Sequence, residues 1–281
     1  MVWSTRRRRA WREHHSIRPA SDGHAHATPP ERRAAGVSTL LEICVDTPEG
    51  AALAAAAGAD RVELCAELAL GGVTPSTGAV AVARASVELP LMVLVRPRAG
   101  HFCYGPVEVA TMAADIEVLK ASGVEGVVLG ALTEQGDVDV EVMTRLIDVA
   151  RPLSVTFHRA FDQTRDPHEA LAALAALGVE RVLTSGQAPS ALEGLTLLKQ
   201  LVAAAGDGLS VMPGGGVRAD SAATIVSATG CRELHAGPSV LTNGPLPARD
   251  GHVGGAALPA DHQRRMTDLA GVQALRSVLD T

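Results

Sequence analysis

Two short stretches of the chain place an acid two residues before a thiol. They are Glu42-Ile43-Cys44 and Glu63-Leu64-Cys65, each inside an apolar run, and an alanine-rich segment separates them. In extended chain, side chains two apart share a face, so Glu42 and Cys44 point together, as do Arg61, Glu63 and Cys65. Two thiolates on neighbouring strands suffice to hold a soft ion such as Cu(I). A structural zinc site wants four ligands, and no matching pair stands nearby. Each thiol also has a plainer use, because free cysteine is among the most buried residue types and packs as a small hydrophobe. Cys103 is a candidate third ligand, and Cys231 reads as packing.

The acids open a second line of chemistry. Carboxylates facing into an apolar interior are costly unless paired. Glu42, Glu63, Arg96, His158 and Glu233 form one constellation, with Arg96 the expected partner of the acids. This set is either an internal ion-pair network or a general acid–base site. In the second case His158 titrates near neutrality and works with Glu42 or Glu63. A third feature is the run Val211-Met212-Pro213-Gly214-Gly215-Gly216-Val217-Arg218. A strand, three glycines and a helix start would offer backbone N–H groups and a positive helix end to an anion. Arg96 and Arg98 would add charge. Glycine runs also serve tight turns.

The elements that must position these residues alternate from residue 39 onward. Strand-like runs fall at 40–45, 61–65, 91–95, 125–129, 153–158, 181–184, 209–212 and 232–235. Helical patterns fall at roughly 48–57, 76–87, 106–121, 139–150, 167–177, 189–204, 218–227 and 261–278. Helix starts are marked by Thr74-Pro75, Gly105-Pro106 and Asp166-Pro167. The turns Gly58-Ala59-Asp60, Gly123-Val124-Glu125 and Gly178-Val179-Glu180 repeat one helix-to-strand connection, with glycine in the left-handed position after each helix. Eight strand–helix units with nothing left over predict a (β/α)8 TIM barrel, ahead of an open doubly wound sheet. In such a barrel the chemistry lies at the carboxyl ends of the strands. That is where Cys44, Asp46, Cys65, Arg96, Arg98, His158, Arg159, Ser185 and His235 gather.

Composition narrows the classes further. The chain has 281 residues, 47% hydrophobic but only 2% aromatic, so its core is aliphatic and base stacking on aromatics is not expected. Residues 1–36 carry eight arginines against three acids. The remainder has 17 basic and 28 acidic residues, a balance of −11 within a total of −6. That acidic body argues against nucleic-acid partners. No apolar run reaches the ~18 residues of a membrane span. There is no CxxC pair and no secretory h-region, which points to free thiols in a reducing cytoplasm. Lys120 and Lys199 are the only lysines, both in helical patterns, so Schiff-base chemistry lacks its nucleophile.

The domain reading is a disordered Arg-rich extension over 1–36, or an over-extended start with Val37 as the true one, followed by one barrel over 37–281. A homo-oligomer is compatible with the sequence and not required by it.

The stretches LEICVD, GADRVELC, GGVTPSTG, RPRAGHFCY, GALTEQGDVD, VTFHRAFD, RVLTSGQ and MPGGGVR resemble, in order and spacing, the successive signatures of the CutC family of copper homeostasis proteins. The resemblance implies a TIM barrel, a role in copper tolerance, and Cu(I) binding by the cysteines, here Cys44 and Cys65. Two departures stand out. Family members tend to carry small hydroxyl residues after the eighth-strand histidine, whereas Ala236-Gly237-Pro238 follow His235. The tail from Thr242 to Asp261 lacks the family's Met-Arg-rich segment. Two functions follow: a cytoplasmic Cu(I)-binding protein, or a barrel enzyme acting on a small phosphorylated or carboxylated metabolite.

Overall fold

A computed structural model describes residues 39–245 and 262–281. The expected disordered extension lies outside the described residues. Eight parallel strands alternate with helices: β1 (Leu40–Val45), α1 (Pro48–Ala56), β2 (Arg61–Leu64), α2 (Thr77–Ser86), β3 (Leu91–Leu94), α3 (Pro106–Ser122), β4 (Gly126–Leu129) and α4 (Val140–Ala150). The second half continues with β5 (Ser154–Phe157), α5 (Pro167–Ala176), β6 (Arg181–Thr184), α6 (Leu195–Ala205), β7 (Ser210–Pro213), α7 (Ala219–Thr229) and β8 (Glu233–Ala236). The strands hydrogen-bond in the order β7-β6-β5-β4-β3-β2-β1-β8, and β7 lies beside β8 to complete the ring. This is the TIM barrel that the eightfold alternation predicts.

Local chemistry starts and stops the elements. Thr47 caps α1 by accepting from the Gly50 amide at 2.9 Å, with Pro48 in the first turn, and Asp166 caps α5 through the His168 and Glu169 amides. The three repeated turns do more than reverse the chain. Their glycines take the left-handed conformation (φ 97°, 74° and 71°). The acid that follows accepts an amide at the start of the preceding strand, from its first or second residue: Asp60 from Leu41, Glu125 from Leu91 and Glu180 from Val155, each at 2.8 Å. Arg276 and Arg84 clamp two of these acids from helices, and Arg151, just past the end of α4, clamps Glu180.

The apolar shell lies between strands and helices. Leu41, Ile43, Val62, Leu64, Leu91 and Val93 on the strands share one core cluster with Met112, Ile116, Met143 and Leu146 on the helices, all essentially fully buried. Alternation turns the other set inward, where it is polar on β1, β2 and β8 and apolar on β3 and β4, whose Met92, Leu94 and Val128 form a small cluster with Cys65. Glu42 sits directly opposite Arg61 in the β1–β2 register. Arg61 donates to both Glu42 and Glu233, while Arg181 donates to Glu233 at 2.9 Å and to Ser154 at 2.8 Å.

Two elements differ from expectation. The helix expected over 189–204 begins only at Leu195, because Ser190–Gly194 form a turn held by the Gly194 amide on Ser190 O. The last helix, α8 (Leu269–Leu279), is shorter than the expected 261–278. Its predicted start is instead β10 (Gln263–Thr267), paired antiparallel with β9 (Ser239–Asn243) beyond the eighth strand.

Candidate functional site

The carboxyl ends of the strands open into a cavity of about 620 Å³, lined among others by Cys44, Glu63, Cys65, Arg96, His158 and His235. One wall is built from β1, β2 and β8. Because β8 pairs with β1, His235 stands directly opposite Glu42 in the register. His235 Nδ1 lies 2.8 Å from Glu42 Oε1, and its Nε2 lies 3.6 Å from Glu63 Oε2. Cys44 is the register partner of Glu63, and its thiol lies close enough to Cys65 and His235 for both to shift its titration. The two sulfurs and a Glu63 oxygen all lie within 4.8 Å of one another, and Glu42, Glu63 and His235 offer a second such group. A side chain at Gly237 would bring its Cβ to 2.9 Å from Cys44 Sγ, so this thiol occupies space that a glycine leaves open.

The electrostatics of this wall follow from its pairing. Burial works against the Glu42 anion, but Arg61 and His235 overcome it and hold the carboxyl at about 2. Burial likewise opposes a charged His235, yet hydrogen bonds to Cys44 and Glu42 raise it well above its ordinary value, so it is an imidazolium. The hydrogen bond from Cys65 pulls the Cys44 thiol down, helped by His235, and the same bond pushes Cys65 up. Burial, reinforced by the charges on Cys44 and Glu42, raises Glu63 to about 8 despite His235. The wall therefore draws Glu42 and Cys44 toward their anions, His235 toward its cation, and Glu63 and Cys65 toward their protonated forms.

The opposite side is arranged differently. Arg96 does not pair with Glu42 or Glu63, as the sequence suggested. Its Nη1 donates to Leu70 O and Gly72 O, its Nη2 donates to Gly100 O, and its guanidinium lies over the Phe102 ring at 4.8 Å. The carboxylates instead find Arg61 and His235, the residues opposite them in the ladder. His158 does not titrate near neutrality: burial, with the Arg96 charge added, lowers it to about 3. Arg98 turns to Glu108 and to the carbonyls of His101 and Cys103, away from the cavity lining. Gly215, Gly216 and Arg218 line the cavity, and Gly214 does not. Cys103 Sγ lies 3.3 Å from Thr133 O and joins neither ligand group, while Cys231 is buried in the apolar shell. His235 was legible as a polar residue at a strand end, but its role was not, since only closure of the ring brings it beside Glu42.

The fold and the polar mouth define a (β/α)8 barrel with a thiol pair and an imidazolium at the carboxyl ends of β1, β2 and β8. Residues 39–240 match the profile of the CutC family. The chain is 44% identical over 241 residues to the human "copper homeostasis protein cutC homolog", covering 85% of this chain and 88% of that one. It is 46% identical over 242 residues to the CutC protein of Chromobacterium violaceum, covering 86% and 98%. Among solved structures, a CutC protein from Streptococcus agalactiae superposes with a TM-score of 0.67 at 32% identity, over 70% of this chain and 97% of that one. A thiamine phosphate pyrophosphorylase from Pyrococcus furiosus, at 13% identity and a TM-score of 0.52, shares the fold alone. This chain belongs to the CutC family.

Proposed function

We propose that the chain is a copper homeostasis protein that binds Cu(I) through Cys44 and Cys65 in a reducing cytoplasm. The observation that carries this reading is the thiol pair with Glu63, all ligand atoms within 4.8 Å, on the wall that His235 faces. Thiolates are the donors a soft monovalent ion prefers. A Cu(I) bis-thiolate centre carries one negative charge, and the buried His235 imidazolium offsets it. Binding displaces the Cys65 proton, so uptake strengthens as pH rises.

The alternative use of a cysteine pair, a disulfide, fits the backbone poorly. Cys44 pairs with Glu63, and Cys65 lies two residues farther on, just past the end of β2. Strand spacing and rise then separate the two Cα atoms by roughly 8 Å, beyond the ~7 Å a disulfide tolerates. Among the described residues, no helix is long and apolar enough to cross a membrane.

The test is Cu(I) titration of the reduced protein against a competing Cu(I) chelator. The expected result is about one ion per chain, with uptake lost in Cys44→Ser and in Cys65→Ser. If both variants compete for copper as well as the parent, the thiols are core packing and this reading fails.

A further inference from the structure

The wall of the mouth opposite the thiols contains a donor with nothing to donate to. His158 Nδ1 accepts from the Ala160 amide at 3.2 Å, so the proton of its neutral ring sits on Nε2. That Nε2 is buried and has no partner, although the side chain lines the cavity and is only 6% exposed. An unmade hydrogen bond at a buried donor is costly, and native structures rarely keep one without a use.

The next residue supplies charge. Arg159 spends Nε on Asp162 at 2.7 Å and Nη2 on Ser185 Oγ at 2.9 Å, which leaves Nη1 without a partner among the described residues. Asp162 is engaged in turn by Thr184 Oγ1, by Ser185 through its amide and hydroxyl, and by the Gln187 amide. The guanidinium rests where a side chain at Gly215 would be, 3.2 Å from its Cβ position, and Gly215 has φ 101°. From there the chain runs through Gly216 and Val217 to Arg218, which caps the 11-residue α7 and is exposed. The amides of Gly215, Gly216 and Val217 donate to no group among the described residues.

We propose that this wall binds the oxyanion end of a small organic ligand, a phosphate monoester or a carboxylate. His158 Nε2–H, Arg159 and the amides leading into α7 would receive it. The same cavity offers Leu94, Phe102 and Leu183 to an uncharged body of the ligand, so one mouth holds a polar anchor and an apolar seat. The proposal does not depend on copper, because none of these residues belongs to the thiol wall. It keeps Gly215, Gly216 and Arg218 of the anion receptor expected from the sequence and puts His158 and Arg159 in place of Arg96 and Arg98, whose guanidinium groups are committed to the loop carbonyls and Glu108.

The test uses the reduced, metal-free full chain with inorganic phosphate and glycerol 3-phosphate as probes and chloride as the control at matched ionic strength. Nitrogen NMR follows His158 Nε2 and the amides of residues 215–217. The expected result is a saturable shift at these nuclei with either probe and not with chloride. Arg159→Gln should weaken binding about tenfold, as loss of one charge-assisted hydrogen bond implies. Arg218→Gln, at an exposed position, should weaken it by less. Absence of saturable shifts with both probes would overturn the proposal, as would unchanged affinity in Arg159→Gln or an equal response to chloride.

Discussion

His235 sets Nδ1 2.8 Å from Glu42 and Nε2 3.6 Å from Glu63, whose carboxyl shares a ligand group with Cys44 and Cys65, so one ring joins the ionic interior of the barrel to the thiols at its mouth. The chain continues inward through Glu42 to Arg61, then to Glu233 and Arg181. Glu42 thus ties the ring beside Cys44 to an inner ion-pair network.

Breaking that network at its centre should be costly. Arg61→Met leaves Glu42 and Glu233 short of a partner in a buried setting, and the expected loss is about 3–5 kcal/mol of unfolding free energy. Urea melts at neutral pH measure it. Adding Glu42→Gln should recover part of the loss, giving a non-additive cycle. Additive losses would mean that the two residues do not act as a unit.

Acid sensitivity should be traceable to His158. Its folded value is about 3 against an ordinary 6.5, so below 6.5 the unfolded chain binds a proton that the native ring refuses. The stability this contributes is complete above 6.5 and is lost as pH falls toward 3, by an amount on the order of a few kcal/mol. Comparing the stability–pH curves of the parent and His158→Gln isolates the effect. Parallel curves over that window would show that the ring is protonated in the native state.

Gly237 should matter to the thiol more than to the fold. Its Cβ position lies 2.9 Å from Cys44 Sγ, and no left-handed backbone there forbids alanine. Gly237→Ala should therefore displace the sulfur, weaken Cu(I) competition severalfold and change the melting temperature little. Parent-like competition would place the metal away from Cys44.

The barrel was legible because its periodicity is regular: apolar runs, capped helix starts and the thrice-repeated glycine–acid turn all recur in register. The hairpin β9–β10 was not, since Ser239–Asn243 is mostly exposed, Gln263–Thr267 is at most half-buried, and neither carries an apolar alternation. The Glu-x-Cys spacing correctly put Glu42, Cys44, Glu63 and Cys65 on one inner wall. The partners of the acids were misjudged in favour of Arg96. Which residues meet across a ladder depends on register, and Glu42 opposite Arg61 on one side and His235 on the other is a property of the closed ring. Burial also removed His158 from the neutral titration range, an effect no spacing rule conveys.

The ionic axis of Glu42, Arg61, Glu233 and Arg181 also bears on heat. Charged groups lose favourable hydration as temperature rises, so the cost of keeping them dry shrinks on warming, while the gain from burying apolar area levels off. In this barrel the aliphatic shell between strands and helices weakens first in relative terms. The axis is the part whose balance improves toward the melting point.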